Sequence, residues 1–184
     1  MESTTVQKIA RVLKTLVIAM LGCNLAALFF VPGMAYAAAE MTQQLRMSLT
    51  SGLVWLLYFA RAWAGAWTDP YAAMLAAFLL FSGGCTAGIL WQGRRVLNAI
   101  LRGRPFSLEN AVSLSRAALC AFLISAAALV RVIWSCWYYG SAAPLISYNA
   151  LFIPVFAMAG LLCLVMSALF RQAAELKAEN DLTI

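Results

Sequence analysis

Apolar positions in this chain come in long unbroken runs. Four stretches, about Val12–Val31, Tyr71–Trp91, Ala117–Tyr139 and Asn149–Phe170, are each mostly apolar for about 20 residues or more. That is the length a helix needs to cross ~30 Å of hydrocarbon. Pro32-Gly33 predicts the end of the first. Asp69 before Pro70 predicts the start of the second, with a capping carboxylate and a proline where its missing N–H does no harm. Ser147 predicts a cap near the start of the fourth. Pro154 predicts a bend near that helix's outer end.

Between the second and third runs the apolar stripe continues. Val96, Leu97, Ile100 and Leu101 keep helical spacing, while Arg94, Arg95, Asn98 and Arg102 face elsewhere. Gly103 predicts a stop. Ser107 predicts a new cap, with Glu109 at the positive end of the helix dipole. Ala111, Leu114, Ala118 and Leu119 carry the stripe into the third run. The second and third helices are therefore expected to form one hairpin that outruns the membrane over 92–116. The fourth is expected to run on to about Glu179, with Glu175 able to pair with Lys8 or Arg94. Asn180 to Ile184 reads as an extended tail.

A fifth apolar stretch, Met47–Ala60, is bounded by Arg46 and Arg61 and is too short to span comfortably. Leu45, Leu49, Leu53 and Leu56 recur at helical spacing, with Trp55, Tyr58, Trp63 and Trp67 after them. Such aromatics favour the headgroup level. An interfacial or re-entrant helical element is expected within an outer loop at 33–69. The expected fold is thus all-α: a polytopic membrane protein, one domain over 1–184, built as a four-transmembrane-helix bundle.

Composition agrees. Apolar residues make up 64% of the 184 and charged residues 11%, more apolar surface than a soluble domain of this size can hide. Charge sets the orientation. Lys8, Arg11, Lys14, Arg94, Arg95, Arg102, Arg104, Arg116, Arg171 and Lys177 fall on one side, and only Arg46 and Arg61 on the other. The positive-inside rule puts both termini in the cytoplasm. Lys8, Arg11 and Lys14 before an apolar run and Ala35-Tyr36-Ala37 resemble a signal peptide. The run is longer than a typical signal core, which favours a retained span.

Chemistry is sparse. The chain has no histidine, no HExxH, no GxSxG, no Walker loop and no paired carboxylates within the spans. No enzyme activity, cofactor or metal is expected. Cys23, Cys85, Cys120, Cys136 and Cys163 lie far apart in apolar runs and read as small buried residues. Arg131 is the one ionisable residue well inside a run, with Asn24, Tyr138, Asn149, Glu40 or Asp69 as partners. Structural anchoring and a ligand or gating role are both open for it. Gly84 and Gly88 form a GxxxG pair for helix packing within the bundle, or for a homo-oligomer. Arg94, Arg95, Arg102 and Arg104 read first as topology determinants and second as contacts for anionic lipid. The patch is too small for direct nucleic-acid binding.

Two segments carry a resemblance. Gly103-Arg104-Pro105-Phe106-Ser107-Leu108-Glu109-Asn110 resembles the G-x-P-F-[ST]-x-E-N loop of a bacterial four-span membrane-protein family, domain of unknown function 2975. Leu176 to Ile184 is similar to that family's closing L-x-x-E-x-D-L-T-I. The resemblance implies no established reaction. Because members often lie beside a small helix-turn-helix regulator, it implies a membrane partner for a cytosolic DNA-binding protein. Arg104, Pro105, Phe106, Glu109 and Asn110, with Asp181, Leu182, Thr183 and Ile184, are the candidate partner-binding residues. A carrier or channel component using Arg131, Asn24 and Tyr138, and a structural subunit of a membrane complex, are the alternatives.

Overall fold

The computed structural model describes residues 5–40 and 60–181, with side chains for 7–35 and 60–180. Four long helices make up most of it: α1 (Thr5–Glu40), α2 (Pro70–Leu101), α3 (Leu108–Tyr139) and α4 (Phe152–Asp181). Two 3-10 turns, Ala143–Ile146 and Tyr148–Leu151, link α3 to α4, and residues 60–65 form a further helical turn before α2. No strand occurs among the described residues. All four helices are long and apolar enough to cross a bilayer, with mean hydropathy from 1.9 to 2.4. The protein is an all-α, multi-pass membrane protein.

The helices pack in chain order and antiparallel. Leu28 of α1 lies against Gly83 of α2, Cys120 of α3 against Gly88, and Phe122 of α3 against Gly160 of α4. α1 touches α2 but neither α3 nor α4. α3 is therefore the hub, flanked by α2 and α4. Its buried residues explain why. Ala111, Ala118, Ser125 and Val132 recur every seventh residue, and Ser113, Ala117, Ala121, Ile124 and Ala128 recur at three- and four-residue steps beside them. Small side chains at this spacing let two neighbours approach one helix closely. Two hydrogen bonds lock α3 to α4: Ser125 Oγ donates to Ile153 O at 2.8 Å and Ser167 Oγ to Ala111 O at 2.7 Å.

Several local expectations change. α1 does not end at Pro32-Gly33 but runs through Pro32, which is buried. A proline inside a membrane helix frees backbone carbonyls that neighbours must satisfy. Here the Trp63 indole N–H donates to Phe29 O at 3.0 Å, one residue from the carbonyl that Pro32 leaves without its usual donor. Ser147 stands at the N-cap of the second 3-10 turn, but its side chain makes no capping bond; its hydroxyl donates to Pro144 O at 2.7 Å. Pro154 is the third residue of α4 and falls in the first turn, where N–H groups have no intrahelical partner and proline is tolerated. α4 continues through Asn180 and Asp181 as helix. Asp69 caps α2 as expected, accepting from Ala72 N at 2.8 Å. Of the expected outer element Met47–Ala60, residues 47–59 lie outside the described residues. From 60 onward the chain packs inward, with Ala62 and Ala66 buried.

Candidate functional site

The end that carries both Thr5 and Asp181 also carries the α2–α3 connection, and its geometry is tightly specified. α2 closes on Gly103, whose φ of 74° is a left-handed conformation that suits glycine. Gly103 N donates to Ile100 O and Arg104 N to Ala99 O, both at 3.0 Å, a Schellman arrangement. Ser107 then caps α3, accepting from Asn110 N at 3.3 Å. Asn110 is 2% exposed. Its side-chain amide donates to Pro105 O at 2.7 Å and Arg104 O at 3.4 Å, pinning the turn to the helix that follows it. Phe106 stays half exposed, yet its ring meets Phe170 of α4 edge-on at 5.7 Å. The turn is thus fixed at the level where α4's apolar run gives way to Arg171.

Beside the turn lies a cleft of about 930 Å³. Arg95 and Asn98 of α2 with Arg102 just past its end form one wall, Arg104 and Phe106 to Asn110 the end, Ser113 of α3 the floor and Ala174 of α4 the opposite side. It exists because α2 and α4 both pack on α3 but stay apart here. At the far end they meet through Phe78 and Phe152, 6.5 Å between ring centroids. Arg94 leaves the arginine set: its guanidinium lies over the Trp91 ring, 5.3 Å from the centroid.

The other residues singled out from sequence are dispersed. Arg131 lies over the Phe78 ring at 4.8 Å. The Ser125–Ile153 bond sets the register of α3 on α4, so Arg131 stands about five residues beyond the level where α4 begins. There it neighbours the far-end aromatics: Trp134 stacks on Tyr138 at 5.0 Å, and Tyr71 meets both. Such a belt marks a membrane–water interface, and Arg131 stands within one helical turn of Trp134 in it. Asn24 sits on α1, which does not touch α3, and its Oδ1 is buried with no hydrogen-bond partner. Asn149 lies in the second 3-10 turn. Gly88 receives Cys120 Sγ, 3.2 Å from where a Cβ would stand, while Gly84 faces open space. The two glycines therefore share no contact. Glu175 pairs with Arg171 at 3.0 Å, not with Lys8 or Arg94; both partners are exposed and the pair contributes little. Leu182, Thr183 and Ile184 lie outside the described residues, as does the Asp181 side chain.

Sequence reading missed Ser113 and the seven-residue series of small residues on α3. The latter was visible as Ala111, Ala118, Ser125 and Val132, hidden among larger apolar neighbours. Among the described residues no three His, Cys, Asp or Glu side chains come together as a metal site would need, and all five cysteines are free.

No curated protein and no solved structure matches this chain. A family model does match, over residues 37–184, from the last turn of α1 through α4 with both motif segments, and the chain belongs to that family, described as protein of unknown function (DUF2975).

Proposed function

We propose that this protein is a regulatory membrane protein, not an enzyme, and that it holds a small cytosolic partner at the end bearing its termini. One observation carries the reading. The two segments that resemble the family's motifs are more than sixty residues apart in sequence, yet they lie at the same end of the bundle, the first packed on α4 six residues before the second begins. Phe106 packs on Phe170, and from Phe170 α4 projects as helix to Asp181, where the closing motif begins its last residues. Eleven residues of helix reach about 16 Å. A hydrogen-bonded turn and a projecting helix make a defined docking face with exposed Phe106, Leu108 and Leu176. Ten of the chain's basic residues lie toward this end, which the positive-inside rule makes the cytoplasmic side, and the family resemblance implies that the membrane is a bacterial inner membrane.

A helix-turn-helix regulator is the partner class that the family resemblance implies. Binding sequesters it, and a shift in helix packing releases it. The test is co-purification in mild detergent of the intact chain, of a chain truncated after Glu175, and of Phe106→Ala. A small helix-turn-helix protein recovered with the intact chain and reduced at least tenfold by either change is the expected result. Its absence, or equal recovery with all three chains, overturns the reading. A carrier would need Asn24 and Arg131 along one path; they lie on α1 and α3, which do not touch.

A further inference from the structure

We propose that the cleft formed by Arg95, Arg102, Arg104, Ser107 and Ser113 is a binding site for a phosphate-bearing anion. Three observations meet there. The first is charge. Three guanidinium groups from α2 and the turn line one cleft, against a single carboxylate, Glu109. None of the four makes an ion pair among the described residues. Arginine forks match phosphate oxygens in pairs, and the guanidinium keeps its charge at any physiological pH.

The second is an unused donor. Ser113 is 4% exposed, yet its hydroxyl makes no hydrogen bond within the described chain, although it lines the cleft floor. A buried hydroxyl normally finds a partner. The other α3 serine buried at a helix contact, Ser125, does so on Ile153. Unlike Asn24 Oδ1 and Gln92 Oε1, which are sealed off without a partner, Ser113 Oγ stays open to the cleft and takes no partner from the described chain. The third is the helix terminus itself. Asn110 N and Ala111 N are taken by Ser107. Leu108 N and Glu109 N are not, and both residues line the cleft at the positive end of a 32-residue helix.

The position selects the ligand's surroundings. The cleft opens beside Phe106 and Phe170, where the apolar run of α4 stops and Arg171 follows. That is the level of the headgroups, reachable from the bilayer and from water alike. The headgroup of an anionic phospholipid and a soluble phosphate present the same chemistry to these donors. The proposal does not depend on the partner reading, because its test measures no protein partner.

The test uses the full-length protein in mild detergent. Retention of phosphatidylglycerol against phosphatidylcholine is read by native mass spectrometry, and stabilisation by inorganic pyrophosphate by a thermal shift. Joint replacement of Arg95, Arg102 and Arg104 by Ala is expected to weaken binding about a hundredfold. Ser113→Ala, which leaves the helix intact, is expected to weaken it about tenfold. Arg94→Ala, whose side chain lies on Trp91, is expected to leave it unchanged. Selective phosphatidylglycerol binding without a pyrophosphate effect supports the site and assigns it to lipid; a pyrophosphate effect supports it and assigns it to soluble phosphate. Three results overturn it: neither probe binds, Arg94→Ala removes binding as fully as the triple change, or Ser113→Ala has no effect while the triple change does. The last would reduce the cleft to diffuse surface charge.

Discussion

α1 and α3 look alike by hydropathy and behave oppositely in the fold. They have 36 and 32 residues, and their apolar windows average 2.1 and 2.2. Yet 33% of the α3 window is buried against 11% of that of α1. The difference lies in residue size. α1 turns Leu13, Leu16, Met20, Leu25 and Phe29 outward, large side chains that lipid accommodates as readily as protein. α3 buries Ala, Ser and few larger residues toward two neighbours. Between helices in a bilayer there is no water to expel, so association depends on close packing and hydrogen bonds. Hydropathy therefore says that a helix crosses, and side-chain size says where it packs.

The strongest way to break this comparison is to enlarge a small residue on each helix. Ala118 on α3 is 0% exposed. Ala118→Leu must push α2 or α4 away, and is expected to destabilise by about 1–3 kcal/mol. Ala26 on α1 is exposed to the surroundings of the bundle. Ala26→Leu adds a methyl-rich surface to a lipid-facing position and is expected to change stability by no more than about 0.5 kcal/mol. Reversible unfolding in mixed micelles with increasing SDS measures both. Equal losses would show that size does not set the hub.

A loss of comparable size is expected at the turn. Asn110→Ala removes the donor that holds Pro105 O and Arg104 O, leaving two carbonyls without their partner. The expected cost is about 1–3 kcal/mol, with faster proteolysis at residues 103–107. Stability falling with no change in cleavage at the turn would mean that Asn110 supports the helix contact and not the turn.

Much of this fold could be read before its coordinates. The four spans, the Asp69 cap, the Gly103 stop and the Ser107 cap follow from local rules, because each depends on residues within a turn of one another. What could not be read depends on neighbours far along the chain. Pro32 was expected to end α1, but the helix runs through it, and a tryptophan 31 positions on donates to Phe29 O in the turn before the proline. Arg131 reads from sequence only as an ionisable residue well inside the third apolar run. Its level relative to α4 depends on the α3–α4 register, fixed by Ser125 and Ile153. The arginines of the cleft were visible in sequence as four positive charges. That three share a cleft while Arg94 turns to Trp91 is set by helix phase and by the gap between α2 and α4.

The finest distinction between the two helices lies in their polar side chains within the apolar spans. Ser125 of α3 uses its hydroxyl on Ile153 O across the α3–α4 contact. Such bonds in membrane bundles are worth ~0.6 kcal/mol on average, so Ser125→Ala is expected to destabilise by about that amount. Asn24 of α1 has a buried Oδ1 that accepts nothing. An unpaired buried carbonyl carries its desolvation cost without the return of a hydrogen bond. Asn24→Leu removes that group at similar volume, so it is expected to stabilise by up to about 1 kcal/mol in the same SDS titration. Opposite signs for the two changes would locate the polar adhesion of the bundle on α3. If Asn24→Leu destabilises instead, Asn24 has a donor in the bilayer-embedded protein, and α1 is held by more than the packing of Leu28 on Gly83 and the Trp63 bond.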